Sequence, residues 1–181
     1  MKKLNSVILR FFNVCSSLKI KNKVIGEFHN PETHLIPTIV YKNITRKKIY
    51  IYGDNYKTKD GTCVRDYVHI KDICNAIKNS IIFLLKNKNK FELINISSSS
   101  KKTNFEILDT IRKITKIDNI YEVAKKRSGD VDFLSCSISK AKLKLKWKPI
   151  YSNINKIIKD EIDWVNFLLK NKKFRKFKNY L

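Results

Sequence analysis

A chain of 181 residues with 43% hydrophobic content is long enough for a domain with a core and apolar enough to build one, which excludes wholesale disorder. No apolar run reaches the roughly 18 residues of a membrane span, and the two lysines ahead of Val7–Val14, a stretch broken by Arg10 and Asn13, make a poor leader, so a cytoplasmic setting without membrane contact is expected. The net charge of +23 rests on lysines spread over the whole chain, with no RNA-binding signature or zinc finger, so only nonspecific, salt-sensitive polyanion binding is expected and no dedicated nucleic-acid function.

Val7 to Phe12 is apolar except for Arg10 and reads as a strand buried on both faces, as in parallel sheets. Asn13 follows at its C-terminal end, where open α/β sheets bind ligands. Cys15 to Asn30 reads as a polar loop. Leu35 to Ile44 reads as a short helix with Thr33 as N-cap and Pro37 in its first turn. His34 there is either a ligand contact or a second capping residue.

Ile49 to Tyr52 has strand character. The stretch from Gly53 to Asp72 reads as a glycine-punctuated loop that presents Arg65, with Asp72 capping a helix that starts at Ile73 and ends at Leu85. Ile73, Ala76, Ile77, Ile81, Leu84 and Leu85 give that helix one apolar stripe. His69, with no nucleophile near it in sequence, reads as a structural hydrogen-bonding residue.

Phe91 to Ile96 reads as a strand and Ser97 to Ser100 as a loop. Thr103 and Glu106 have the spacing of a capping box for a helix reaching about Lys116. Tyr121 to Ala124 and Phe133 to Cys136 read as extended segments, Ser139 to Leu145 as a short helix, and Trp147 as a core anchor. Ser152 or Asn153 caps a last helix that ends near Asn171, and the basic tail from Lys172 reads as frayed.

The chain holds only six arginines against 33 lysines, so each arginine outside a helix carries weight. A planar guanidinium binds phosphate bidentately, which lysine does not copy. Arg65 is one such residue. Arg127 is another, in a Lys125–Asp130 patch around a glycine turn that suits a diphosphate or is simply a solvated basic loop. Either arginine can instead form a structural ion pair, with Asp66 or Asp130. The four cysteines, Cys15, Cys63, Cys74 and Cys136, form no CxxC pair, so they read as free thiols packed as small apolar groups, and no metal site is expected. There is no GxGxxG or GxxGxxG loop. Tyr121 and Lys125 have Tyr-x-x-x-Lys spacing, but in an extended segment. No catalytic residue is assigned, and with no linker or internal repeat a single α/β unit is expected.

Five stretches carry a family resemblance: LRFFN (Leu9–Asn13), PETHLIP (Pro31–Pro37), IYGDNYKTKDGTCVRDYVHIKDI (Ile51–Ile73), KRSGD (Lys126–Asp130) and KLKWKP (Lys144–Pro149). In order and approximate spacing they resemble the C-terminal half of UDP-glucose 4-epimerases, extended short-chain dehydrogenases/reductases. The resemblance implies an α/β fold, with the C-terminal part of a Rossmann-type NAD-binding sheet plus a small α/β substrate-binding domain, all within residues 1–181. It also implies a UDP-hexose ligand inverted at C4, NAD as cofactor, and a homodimer whose contact lies in the family's other half.

By the same resemblance Asn13, His34, Leu35, Tyr50, Ile51, Tyr52, Arg65, Arg127 and Asp130 contact the UDP-sugar, and Phe12 lies beside the nicotinamide. The family's glycine-rich NAD loop and helical Tyr-x-x-x-Lys pair have no counterpart in these residues. A chain with this inventory is expected to need an N-terminal half as partner and to be inactive alone. The alternatives are a non-catalytic UDP-sugar-binding remnant, or half of another NAD-dependent sugar-nucleotide epimerase or decarboxylase.

Overall fold

The computed structural model describes residues 4–29, 31–88 and 90–171; the tail from Lys172 lies outside them. In chain order the elements are β1 (Ser6–Phe11), β2 (Asn13–Cys15), β3 (Leu18–Ile20), β4 (Lys23–Ile25), α1 (Leu35–Ile44), β5 (Ile49–Tyr52), β6 (Val64–His69), α2 (Ile70–Lys86), β7 (Phe91–Ile96), β8 (Lys101–Thr103), α3 (Asn104–Thr115), β9 (Tyr121–Ala124), α4 (Ser139–Leu145) and α5 (Ile154–Lys170). The alternation of strands and helices makes the chain α/β, with three parallel strand pairs: β1 with β7, β2 with β6, and β5 with β9.

The chain builds two apolar centres. In one, α1, α3 and α5 pack together over one face of β5, and Ile36, Ile39, Ile51, Ile107, Ile111 and Ile157 are almost fully buried. In the other, β7 packs under α2 and α4 around Ile94, Ile96, Ala76 and Trp147. Strand periodicity explains β5: Ile49 and Ile51 enter the core while Tyr50 and Tyr52 turn the other way. At Phe12 the backbone leaves the β1–β7 sheet and enters the β2–β6–β8 sheet at Asn13. That switch places Phe12 and Asn13 between the two centres.

β1 is not buried on both faces. Val7 and Leu9 pack on the second centre, but Ile8 is 47% exposed and Phe91, on the same face of the partner strand, is 67% exposed. Among the described residues nothing covers that face. The stripe on α2 divides in the same way, with Ile73 and Ala76 buried and Ile77, Ile81 and Leu85 exposed.

The stretch around Arg65 is a strand rather than a loop. β6 runs between β2 and β8 as the middle strand of its sheet, so Arg65 is held on regular backbone. The expected polar loop at Cys15–Asn30 contains the β3–β4 hairpin, turned at Lys21 with φ 53°. The hairpin lies against α5 through Val24 and Trp164. Phe133–Cys136 forms no strand; it contributes one bridge, Phe133 to Val64.

Two caps differ from expectation. α1 begins after His34, not Thr33, and its cap amide is satisfied by the Glu32 side chain, Oε1 accepting from His34 N at 2.7 Å. α2 begins three residues early because His69 caps it, Nδ1 accepting from Lys71 N at 3.0 Å. Asp72 instead turns across to residues 150–152 and accepts from Ile150 N, Tyr151 N and Ser152 Oγ. The Thr103–Glu106 capping box and the Asn153 cap form as read. The cysteines are free, but Cys74 is exposed rather than packed.

Candidate functional site

A cavity of about 670 Å³ opens between the strand switch at Phe12–Asn13, the N-terminus of α1, the outward face of β5 and the 125–132 loop. Its walls include Phe12, Asn13, His34, Leu35, Tyr50, Tyr52, Arg65, Arg127 and Asp130, which lie far apart in sequence. Ile51 does not reach it. The period of β5 sends that side chain into the core, fully buried.

Alternation on β6 sets one wall. Cys63, Arg65 and Tyr67 face the cavity, while Asp66 and Val68 face the other way. Arg65 is well anchored: Nη1 donates to Val64 O at 2.9 Å and Val131 O at 2.8 Å, and Nη2 to Asp130 Oδ1 at 3.4 Å. Tyr56 OH donates to the other oxygen of Asp130 at 3.3 Å. Burial, then the charge of Asp130, pushes that phenol up to about 12, so it stays a donor. These bonds use three of the five guanidinium donors and leave the rest for a ligand. The Arg65–Asp130 ion pair exists, and it orients the fork at the cavity wall.

Arg127 is held differently. Its guanidinium carbon lies 3.8 Å from the centre of the Tyr52 ring, and it has no carboxylate partner among the described residues. Lys42 Nζ lies 5.4 Å from the Tyr50 ring centre. This end of the cavity is therefore cationic and aromatic, suited to a planar ring carrying phosphate groups. Asn13 is aligned by donation to Asp66 O at 3.1 Å. Asp66 is itself fully buried and accepts from Ser97 Oγ, Ser98 N and Ser98 Oγ.

Another part of the cavity wall is acidic, a feature outside the expectations from sequence. Glu27, Glu32 and Glu161 line it beside His34. Burial, then the charges of Glu27 and Glu32, pushes Glu161 up to about 8, so near neutrality it is a protonated carboxyl that can donate. A signal for it does exist in the sequence: on α5, residue 161 shares a helical face with Ile157, Ile158, Trp164 and Val165, all buried. Cys15, on the cavity wall, is not an activated nucleophile, since burial pushes its thiol well above its ordinary range.

A family described as GDP-mannose 4,6 dehydratase matches residues 1–160. The chain belongs to this family. Its relatives include the UDP-glucose 4-epimerase of Lactobacillus helveticus, 40% identical over 157 residues that cover 86% of this chain and 47% of the relative. The UDP-glucose 4-epimerase of Streptococcus mutans is 42% identical over 159 residues, 87% of this chain and 47% of the relative. Among solved structures, UDP-glucose 4-epimerase from Brucella ovis in complex with NAD superposes with a TM-score of 0.80 at 31% identity, covering 88% of this chain and 48% of that one. This member of the family is thus UDP-glucose 4-epimerase-like in sequence and fold, and it spans about half the length of the curated relatives it matches.

Its histidine on β6 is structural in geometry. His69 is 1% exposed, with Nδ1 accepting from Lys71 N and Nε2 facing Asp160 Oδ2 at 2.9 Å. The phosphates of a dinucleotide find no cradle among the described residues. The turn after β7 has its amides occupied, Ser98 N by Asp66, Ser99 N by Ser97 Oγ and Ser100 N by Ser98 Oγ. Phe12, whose amide bonds to Ile96 O, offers one aromatic wall and no more. The residues present therefore do not by themselves fit NAD.

Proposed function

We propose that this chain is the substrate-binding half of a UDP-glucose 4-epimerase-type enzyme and holds a UDP-hexose in the cavity between β6, α1 and the 125–132 loop. The observation that supports this best is the convergence of Arg65 and Arg127, on separate segments, at one aromatic-walled end. In this reading the two guanidinium forks take the diphosphate, with Asp130 aligning Arg65. Tyr50 and Tyr52 flank the uracil on β5, Ile51 contributing backbone only. His34 and Leu35 meet the nucleotide from the start of α1, and Asn13 bonds near the diphosphate on the sugar side.

C4 epimerisation also requires NAD, which would supply the hydride acceptor for C4. In this proposal its site is completed by residues outside these 181, and Phe12 supplies the nicotinamide-facing wall. The exposed face of β1 and β7 is consistent with the late strands of a larger NAD-binding sheet. The chain alone is then inactive, and the setting is cytoplasmic.

A second reading, a UDP-sugar binder without catalysis, is favoured by one observation. Tyr121 lies on strand β9 with Lys125 in the coil beyond, so their spacing does not bring them together on a helix face.

The test is calorimetric titration of the folded chain with UDP at moderate salt. Saturable one-to-one binding, weakened about 10-fold or more in Arg65→Ala and Arg127→Ala, is expected for charge-assisted phosphate bonds. A folded chain that binds no UDP overturns the proposal. Epimerase activity appearing only when a polypeptide with a glycine-rich loop and a Tyr-x-x-x-Lys helix is added separates the enzymatic reading from the non-catalytic one.

A further inference from the structure

The acidic part of the cavity wall is out of character with the chain. The molecule has three histidines, and 16 acidic residues against 39 basic ones. Two of the histidines nevertheless meet one glutamate. Glu27 Oε1 lies 3.3 Å from His29 Nδ1 and 3.2 Å from His34 Nδ1. The ligand atoms of all three residues fall within 4.8 Å of one another. Donors about 2.0–2.1 Å from a tetrahedral zinc ion sit about 3.3 Å apart, which the two glutamate–imidazole separations match.

Glu32 supplies an independent observation. Its side chain is fully buried, with Oε1 3.1 Å from His34 Nδ1. Its Oε2 is buried with no hydrogen-bond partner among the described residues. A carboxylate left half-paired away from water is costly, and its charge beside His34 favours a cation in the neighbouring cluster.

We infer that Glu27, His29 and His34 form a binding site for a zinc-class divalent cation, with the fourth position open to water and the Glu32 carboxylate beside His34. Two imidazoles with a carboxylate select zinc, cobalt or nickel over magnesium and calcium, which prefer all-oxygen sites. Glu27 and His29 precede α1 and His34 is its N-cap, so the metal ties the coil after β4 to the start of α1 at the cavity wall. Metal at His34 Nδ1 leaves Nε2 for a ligand in the cavity, so the site is compatible with the nucleotide role proposed above and does not depend on it.

The test uses the full chain, stripped with chelator and titrated with Co²⁺ and then Zn²⁺. One cobalt per chain is expected, with visible bands of a tetrahedral nitrogen–oxygen site, no thiolate charge-transfer band, and displacement by one zinc. His29→Ala alters a half-exposed side chain, so the fold is not at stake. It is expected to weaken zinc at least 10-fold in competition with a chromophoric chelator and to abolish the rise in melting temperature that zinc gives the parent chain. Glu32→Gln is expected to weaken it as well. No zinc bound more tightly than about 100 µM, an affinity unchanged by His29→Ala, or a thiolate band assigning the metal to cysteine each overturns the inference.

Discussion

The guanidinium of Arg127 lies 3.8 Å above the ring of Tyr52, joining the 125–132 loop to β5 across one end of the cavity. Stacking fixes the plane of the fork and leaves its edges for hydrogen bonds, which an ammonium group does not reproduce. Arg127→Lys should therefore lose UDP affinity nearly as far as Arg127→Ala, by about 10-fold. Tyr52→Leu should lose less. Titration calorimetry on the three variants checks the order, and full affinity in Arg127→Lys would show that charge alone suffices.

Asp72 is the most heavily used buried carboxylate of the α2 region. Its two oxygens accept from Ile150 N, Tyr151 N and Ser152 Oγ, and its carbonyl accepts from Trp147 Nε1 at 2.9 Å. Asp72→Ala strands two amides and a hydroxyl, so a loss of about 3 kcal/mol or more in urea unfolding is expected. An effect below about 1 kcal/mol would mean that water replaces the carboxylate freely.

The capping box of α3 should give stability a signature in acid. Burial raises the Glu106 carboxyl, but bonds from Lys59, the Thr103 amide and Lys102 outweigh it and hold it at about 2, below its ordinary 4.5. A depressed carboxyl contributes fully above its unfolded value and loses that contribution as pH falls through its folded one. Glu106→Gln should be about 1 kcal/mol less stable than the parent at pH 6, with the gap closing by pH 2. Unfolding midpoints across that range measure it.

Gly26 is a steric position. A Cβ built there would come within 2.5 Å of the Trp164 ring, whose Nε1 donates to Glu27 O at 2.6 Å. Gly26→Ala must push the hairpin off α5, and about 1–3 kcal/mol of stability should be lost. Tryptophan fluorescence should report greater water access at Trp164 in that variant.

What could be read from sequence was what is local. β5, β7, α4 and the Thr103 capping box announce themselves through alternation, apolar runs and cap spacing within a few residues. β6 does not announce itself in this way, because its polar residues look like loop residues until distant partners are known. Asp66 is satisfied by Ser97 and Ser98, about 30 residues on, and His69 by Asp160, 91 residues on. The β3–β4 hairpin escaped notice because its strands have three residues each and its turn uses Lys21 rather than glycine. The cationic wall of the cavity followed from the scarcity of arginine. The acidic wall did not, since Glu161 approaches Glu27 and Glu32 only through the docking of α5.

The pairing of β1 with β7 has a consequence for synthesis. Ser6 is in register with Phe91 and Phe11 with Ile96, so each residue of β1 waits for a partner about 85 positions later. At about 5–20 residues per second, the ribosome takes on the order of 4–17 s to deliver β7 after β1 has been made. Until β7 emerges, Val7 and Leu9 lack the Ile94 and Ile96 side chains of their shared apolar centre. Within these residues the β1–β7 pairing therefore closes only after α1, β5, β6 and α2 have all been made.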